Sequence, residues 1–232
     1  MDNNLYADFD EIFRACDEML GYAERNIERL QKHVAENASV RKYGVSSLYG
    51  GYFCPSLILE TTTSDFRKGR LLKNIPKGRG YALYELDSNG RLLRLQEIGG
   101  DQTLNESYVI EDGNTRHFLA MSGKKRCPWA ASMRAIYEDG RLGQFDIVQG
   151  SSLWSERYEY GKDATTCRQY HYVPKLKGSD KSIPVGEKGS PARLFMMNFT
   201  MGENGRIDWL AQGEYIDGKA EMNFEYGKKK QK

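Results

Sequence analysis

Apolar residues first recur every three or four positions, then switch to alternation, and the switch divides the chain. Leu5, Phe9, Ile12, Phe13, Cys16, Met19, Leu20, Ala23, Ile27, Leu30 and Val34 fall on one stripe of an amphipathic helix. Asp8 and Glu11 form a capping-box pair for its start, and Asn37 and Ser39 suit its end. The spacing predicts one helix of roughly 28 residues, about 42 Å long. Its other face carries Asp10, Asp17, Glu18, Glu24, Arg25, Glu28, Arg29 and Lys32. Such a stripe has to be covered, by the chain's own sheet or by a partner.

From Tyr43 onward the pattern is that of strands. Leu48 to Phe53 reads as strand, turn, strand, with Leu57-Ile58-Leu59 continuing it, and Arg67 to Arg79 reads as an exposed basic loop. Tyr81 to Met121 and Met133 to Val173 each read as a pair of hairpins, the second broken near Gly150 and Gly161. Ala192 to Tyr226 forms the last block, with turns near Gly205, Gly213 and Gly218. Asn89-Gly90, Asp112-Gly113, Asp139-Gly140, Asn204-Gly205 and Asp217-Gly218 supply the punctuation, because Asn-Gly and Asp-Gly suit turns that need positive φ. Two insertions, Ser122 to Ala131 and Lys175 to Pro191, exceed ordinary hairpin loops.

Three of these turns continue as Gly-Arg-aliphatic: Gly90-Arg91-Leu92, Gly140-Arg141-Leu142 and Gly205-Arg206-Ile207. With the preceding Tyr84-Glu85-Leu86-Asp87 and Tyr137-Glu138-Asp139, the first two resemble the YD repeats of Rhs-type proteins. The strict Tyr-Asp dipeptide and a constant short period are absent, so the resemblance implies degenerate hairpin repetition and not a closed shell. Loosely repeated hairpin sheets of this style also resemble immunity proteins of bacterial competition systems, where a broad sheet covers a toxin.

Composition narrows the classes. The 232 residues carry 15 Tyr, which suits a sheet with one wet face. A net charge of +2 excludes a globally basic nucleic-acid binder, although the helix region is acidic and the remainder basic. No signal-like start and no apolar run of membrane-spanning length occurs, and four scattered cysteines lack CxxC spacing. A cytoplasmic protein without a membrane segment, with free thiols, is the expectation.

Candidate chemistry is sparse. His33, His117 and His171 show no metal-ligand spacing with any cysteine, and Cys167 and His171 would stand about 13 Å apart along a strand. Cys127, within Lys124-Lys125-Arg126-Cys127-Pro128-Trp129, has electropositive neighbours that favour a thiolate, but a cysteine packed beside Trp129 is the preferred reading. Arg67-Lys68-Gly69-Arg70 and Lys77-Gly78-Arg79-Gly80 are basic and flexible without a P-loop frame. With Lys124, Lys125 and Arg126 they would form one patch if the loops meet at one sheet end. Tyr158, Tyr160, Tyr170 and Tyr172, extended by Trp154, read as a same-face row, in the core or as a binding platform.

The sequence therefore predicts an α+β fold in one domain, residues 1–232. A helical region (1–42) packs on a meandering antiparallel sheet of ten or more strands (43–226), followed by a basic tail (227–232). No catalytic residue, metal or cofactor is assigned. The expected function is a non-enzymatic protein-binding module, an immunity protein that neutralises a cognate toxin. Its predicted contact residues are Arg70, Lys124, Lys125, Arg126, Trp129, Trp154, Tyr158, Tyr160, Tyr170 and Tyr172. The alternatives are a carrier of a small apolar ligand or lipid between helix and sheet, and an enzyme with a dispersed site drawn from Glu97, Asp146, His117 and Tyr160.

Overall fold

The computed structural model describes residues 5–45, 48–63, 66–76 and 80–227. Lys77, Gly78 and Arg79 of the predicted basic stretch, and residues 228–232 of the predicted tail, lie outside them. The amino-terminal stripe is helical, but as two segments, α1 (Leu5–Arg25) and α2 (Ile27–Asn37). The break is at Asn26 (φ −116°, ψ 15°), whose side-chain amide donates to Tyr22 O at 2.9 Å. The Asn26 N–H also donates to Tyr22 O, at 3.0 Å, so the side-chain amide shares that carbonyl with the helical ladder. Asp8 lies inside α1 instead of capping it.

Among the described residues fourteen strands form one antiparallel sheet. They are β1 (Val40–Val45), β2 (Leu71–Leu72), β3 (Tyr81–Leu86), β4 (Leu92–Gly99), β5 (Gln102–Asp112), β6 (Thr115–Ser122), β7 (Lys125–Arg126), β8 (Ser132–Glu138), β9 (Arg141–Gln149), β10 (Ser152–Tyr160), β11 (Thr165–Tyr172), β12 (Ala192–Met201), β13 (Ile207–Ile216) and β14 (Lys219–Gly227). From β3 to β14 each strand pairs with its chain neighbour, except that short β7 hangs from β6 and β8 takes the place beside it. At the far end β1 is inserted between β3 and β2.

Turn chemistry fixes the hairpin registers. Asp139 and Gly140 (φ 50° and 76°), and Asp217 and Gly218 (47° and 88°), have the double positive φ of type I′ turns. At Asn89-Gly90 and Asn204-Gly205 only the glycine is positive, and each of these longer loops is flanked by a register shift in its ladder. Gly213, predicted as a turn, lies inside β13 at a bulge opposite β14.

The two faces of the sheet are covered by different parts of the first seventy residues. On one face α1 packs Tyr6, Phe9 and Ile12 against Leu153, Tyr170, Tyr172 and Leu194, while Ala23, Ile27 and Val34 meet Tyr108, Leu119 and Met121. Phe9 is fully buried, its ring centroid 4.9 Å from that of Tyr172 and 5.4 Å from that of Tyr170. Tyr6 also anchors the insertion 175–191. Its hydroxyl donates to Ile183 O at 2.8 Å and lies 2.6 Å from Ser190 Oγ.

The opposite face is filled by residues 48–63 and 66–69. The predicted strands there do not form, because Tyr49, Gly50 and Gly51 all have positive φ (52°, 84° and 52°). The segment makes a 3₁₀ turn (Gly51–Phe53) and a short helix, α3 (Leu59–Thr62). Cys54, Ile58, Leu59 and Phe66 join one core cluster with Tyr84 and Leu95 at one end of the sheet and Phe199, Ile207 and Leu210 at the other. β13 stands eight positions from β4 in the strand order. A flat sheet would separate them by roughly 40 Å. The sheet therefore curls around residues 48–63 and 66–69, and this face is concave.

Candidate functional site

The 48–69 segment is held on the concave face by hydrogen bonds to three side chains of the sheet. Tyr52 N–H donates to the Tyr84 hydroxyl and Leu57 N–H to the Tyr158 hydroxyl, each at 3.2 Å. Ser56 Oγ donates to Glu156 Oε1 at 3.0 Å and accepts from the N–H groups of Leu59 (3.0 Å) and Ile58 (3.2 Å). Glu156 is fully buried. It also accepts from Trp154 Nε1 at 3.2 Å and from the Tyr158 hydroxyl through a short bond. Burial pushes its carboxyl up to about 7, against the opposing effect of these donors. Burial likewise raises the Tyr158 hydroxyl well above its ordinary range.

This anchored segment forms one wall of an open cleft of about 670 Å³. The other wall is the β12–β13 turn, Asn204 to Ile207, with Tyr226 of β14. Since Gly69 lies two residues before β2, elements from both ends of the curled sheet meet here. Arg67, Lys68 and Arg206 line the cleft beside Tyr52, Phe66 and Tyr226, with Glu60 as the one carboxylate among the described residues of the lining. None of the three cations has an ion pair or side-chain hydrogen bond among the described residues. A concave site with clustered cations raises the local concentration of anionic groups.

The predicted contact residues do not gather in one place. Lys124 is tied to Glu28 at 2.6 Å. Arg126 pairs with Glu24 at 3.0 Å and with Asp17, and its backbone N–H donates to Glu24 Oε1 at 2.9 Å. These two cations neutralise the acidic face of the helices, across the sheet from Arg67 and Lys68, so the loops do not form a single patch. Lys125 and Arg70 are exposed, and Arg70 lies beside the cleft wall. The tyrosine row is split. The register pairs Leu153 with Tyr172, Ser155 with Tyr170 and Tyr158 with Cys167. Trp154 and Tyr158 thus face the concave side, whereas Tyr170 and Tyr172 face α1. Tyr158, Tyr170 and Tyr172 are buried; Tyr160 is partly exposed and donates to Leu142 O at 2.9 Å. Trp129 is 63 % exposed, over a separate hollow of about 440 Å³ with Leu48, Tyr49 and Met133.

Two chemistries considered from sequence find little support in the geometry. His117 and Asp146 share the helix-covered face, where about 10 Å³ of space remains between α1 and the sheet. Asp146 is fully buried and already engaged by Arg134 (2.9 Å) and Ser155 (2.7 Å). Glu97 lines the Trp129 hollow, on the concave side. The groups do not converge on one cleft. No cluster of three His, Cys, Asp or Glu side chains able to hold a metal occurs among the described residues. The helix–sheet space beside Ile12 and Cys16 is likewise too small for an apolar cargo.

Sequence reasoning missed Ser56 and Glu156, because isolated polar residues in strand-like and turn-like stretches carry no spacing signal. It noted Arg67, Lys68 and Arg206 but did not join them, since their meeting depends on the curl of the sheet. No helix among the described residues is long and apolar enough to cross a membrane. No protein-family model, no curated protein and no solved structure matches the chain.

Proposed function

We propose that this chain is a non-enzymatic protein-binding module of the immunity-protein kind, which covers an acidic surface of a cognate toxin with its open cleft. The observation that carries this reading is the set of three cations without an ion pair among the described residues, Arg67, Lys68 and Arg206, interleaved with Tyr52, Phe66 and Tyr226 in one concavity. An inhibitor of this kind needs shape and charge complementarity, and Arg and Tyr are the residues that most often anchor interfaces. The third Gly-Arg turn, Gly205-Arg206-Ile207, serves the same end by delivering Arg206 to the cleft.

The test is affinity capture from the source cells, with cross-linking, comparing the native chain with the triple variant Arg67→Glu, Lys68→Glu, Arg206→Glu. The native chain is expected to retain one stoichiometric protein, to lose it in the triple variant, and to relieve that protein's toxicity on co-expression. Equal retention by both forms would remove the cleft from the interface. Absence of toxicity in the captured protein would remove the immunity role.

A further inference from the structure

Strand β14 ends the sheet on one side, pairing only with β13 among the described residues. All nine of its residues are exposed. Met222, Phe224 and Tyr226 are 46 %, 44 % and 48 % exposed, and Tyr226 also lines the cationic cleft. A free edge presents alternate N–H and C=O groups to any strand that approaches, and proteins usually blunt such an edge or use it. Tyr226, near the end of this edge, shares the cleft with Arg67, Lys68 and Arg206. The β12–β13 turn, Asn204 to Arg206, lines the same cleft as Tyr226.

We propose that the partner supplies an extended acidic segment that adds to β14 as a further strand, with carboxylates reaching Arg67, Lys68 and Arg206. This rests on the binding reading above and specifies its recognition mode: main-chain hydrogen bonds give affinity, and the flanking cations and apolar side chains give specificity. A second copy of this chain fits the edge less well. A second β14 offers only Glu221 and Glu225 as carboxylates, with Lys219 on the same strand, as partners for the three cations of the cleft.

The probe is a capped nine-residue peptide alternating valine and glutamate, matched to the length of β14, with a valine–lysine peptide as control. Binding is followed by fluorescence anisotropy and by amide hydrogen exchange of the full chain. The acidic peptide is expected to protect amides of β14 and to bind at least tenfold more tightly than the basic one. Its affinity should fall at least tenfold in Phe224→Lys and in the triple cleft variant, with circular dichroism confirming that each remains folded. Failure of the acidic peptide to bind, or equal binding of the two peptides, overturns the proposal. So does protein self-association through β14 in sedimentation. Binding that depends on the cleft cations without any protection of β14 refutes strand addition while leaving the cleft reading intact.

Discussion

Ser56 Oγ donates to Glu156 Oε1 at 3.0 Å across 100 residues of sequence, and accepts from the backbone that begins α3. One hydroxyl thus joins the segment on the concave face to the middle of the sheet. Removing it takes a donor from a buried carboxylate and leaves two N–H groups unserved. Ser56→Ala is expected to cost about 2–3 kcal/mol of stability in urea titration. A cost within error would mean that water or Trp154 and Tyr158 replace the hydroxyl fully.

The same carboxyl gives a pH signature. Its folded-state value of about 7 lies above the ordinary 4.5, so between these values the folded chain holds a proton that the unfolded chain has released. The resulting contribution to stability is fully present below about pH 4.5, falls as pH rises toward 7, and is then flat. One pH unit between the folded and unfolded values corresponds to roughly 1.4 kcal/mol. Glu156→Gln, which keeps the shape and remains uncharged, is expected to flatten this part of the stability curve and to be the more stable form at pH 8. Parallel curves for the two proteins from pH 5 to 8 would show that Glu156 does not titrate there.

Arg126 is the second tie between remote parts of the chain, joining β7 to Asp17 and Glu24 of α1. The sequence alone places it in a partner surface, where charge reversal would leave thermal stability unchanged. The contacts predict the opposite. Arg126→Glu should lower the melting temperature, with a loss of about 1 kcal/mol or more, since two carboxylates then face a third. Partner capture should persist as long as the chain is folded. Lys124→Glu alters a more exposed pair and should be milder than Arg126→Glu. The check is differential scanning calorimetry on each variant.

Thiol chemistry offers a further check. Cys54, Cys127 and Cys167 are buried, and burial pushes Cys54 up to about 12 and the less enclosed Cys16 up to about 11. Thiolate, the reactive form, is scarce at neutral pH under such conditions. The native chain is expected to react slowly with an aromatic disulfide reagent at pH 8, and all four cysteines to react at once in denaturant. Rapid native labelling at Cys127 would restore the reactive-loop reading.

Much of this architecture was legible because it is local. Helical periodicity marked α1 and α2, and Asp139-Gly140 and Asp217-Gly218 marked tight hairpins through their own φ preferences. The remainder depends on relationships between distant residues. The helix breaks at a single residue, Asn26, whose backbone departs from helical φ and ψ without disturbing the apolar period. The tyrosine row looked continuous within β10 and β11 separately, but cross-strand register sends Tyr158 to one face and Tyr170 to the other. Leu48 to Phe53 has the composition of strands, yet three successive positive φ values at Tyr49, Gly50 and Gly51 exclude them. The cleft escaped detection because Arg67 and Arg206 meet only once the sheet has curled.

The order of the strands bears on how the chain is made. From β3 to β14 almost every pairing is between chain neighbours, so the sheet can grow by successive hairpin closure as synthesis proceeds. The two covering layers, α1 with α2 and residues 48–69, are synthesised first, yet their main docking positions lie on strands made much later. Phe9 has no Tyr172, and Ser56 no Glu156, until well over half of the chain has been translated. The amino-terminal seventy residues therefore wait, with their apolar stripe uncovered, and close over a sheet that has assembled behind them. A chain stalled before β10 would display that stripe, making it a substrate for chaperones during synthesis rather than after it.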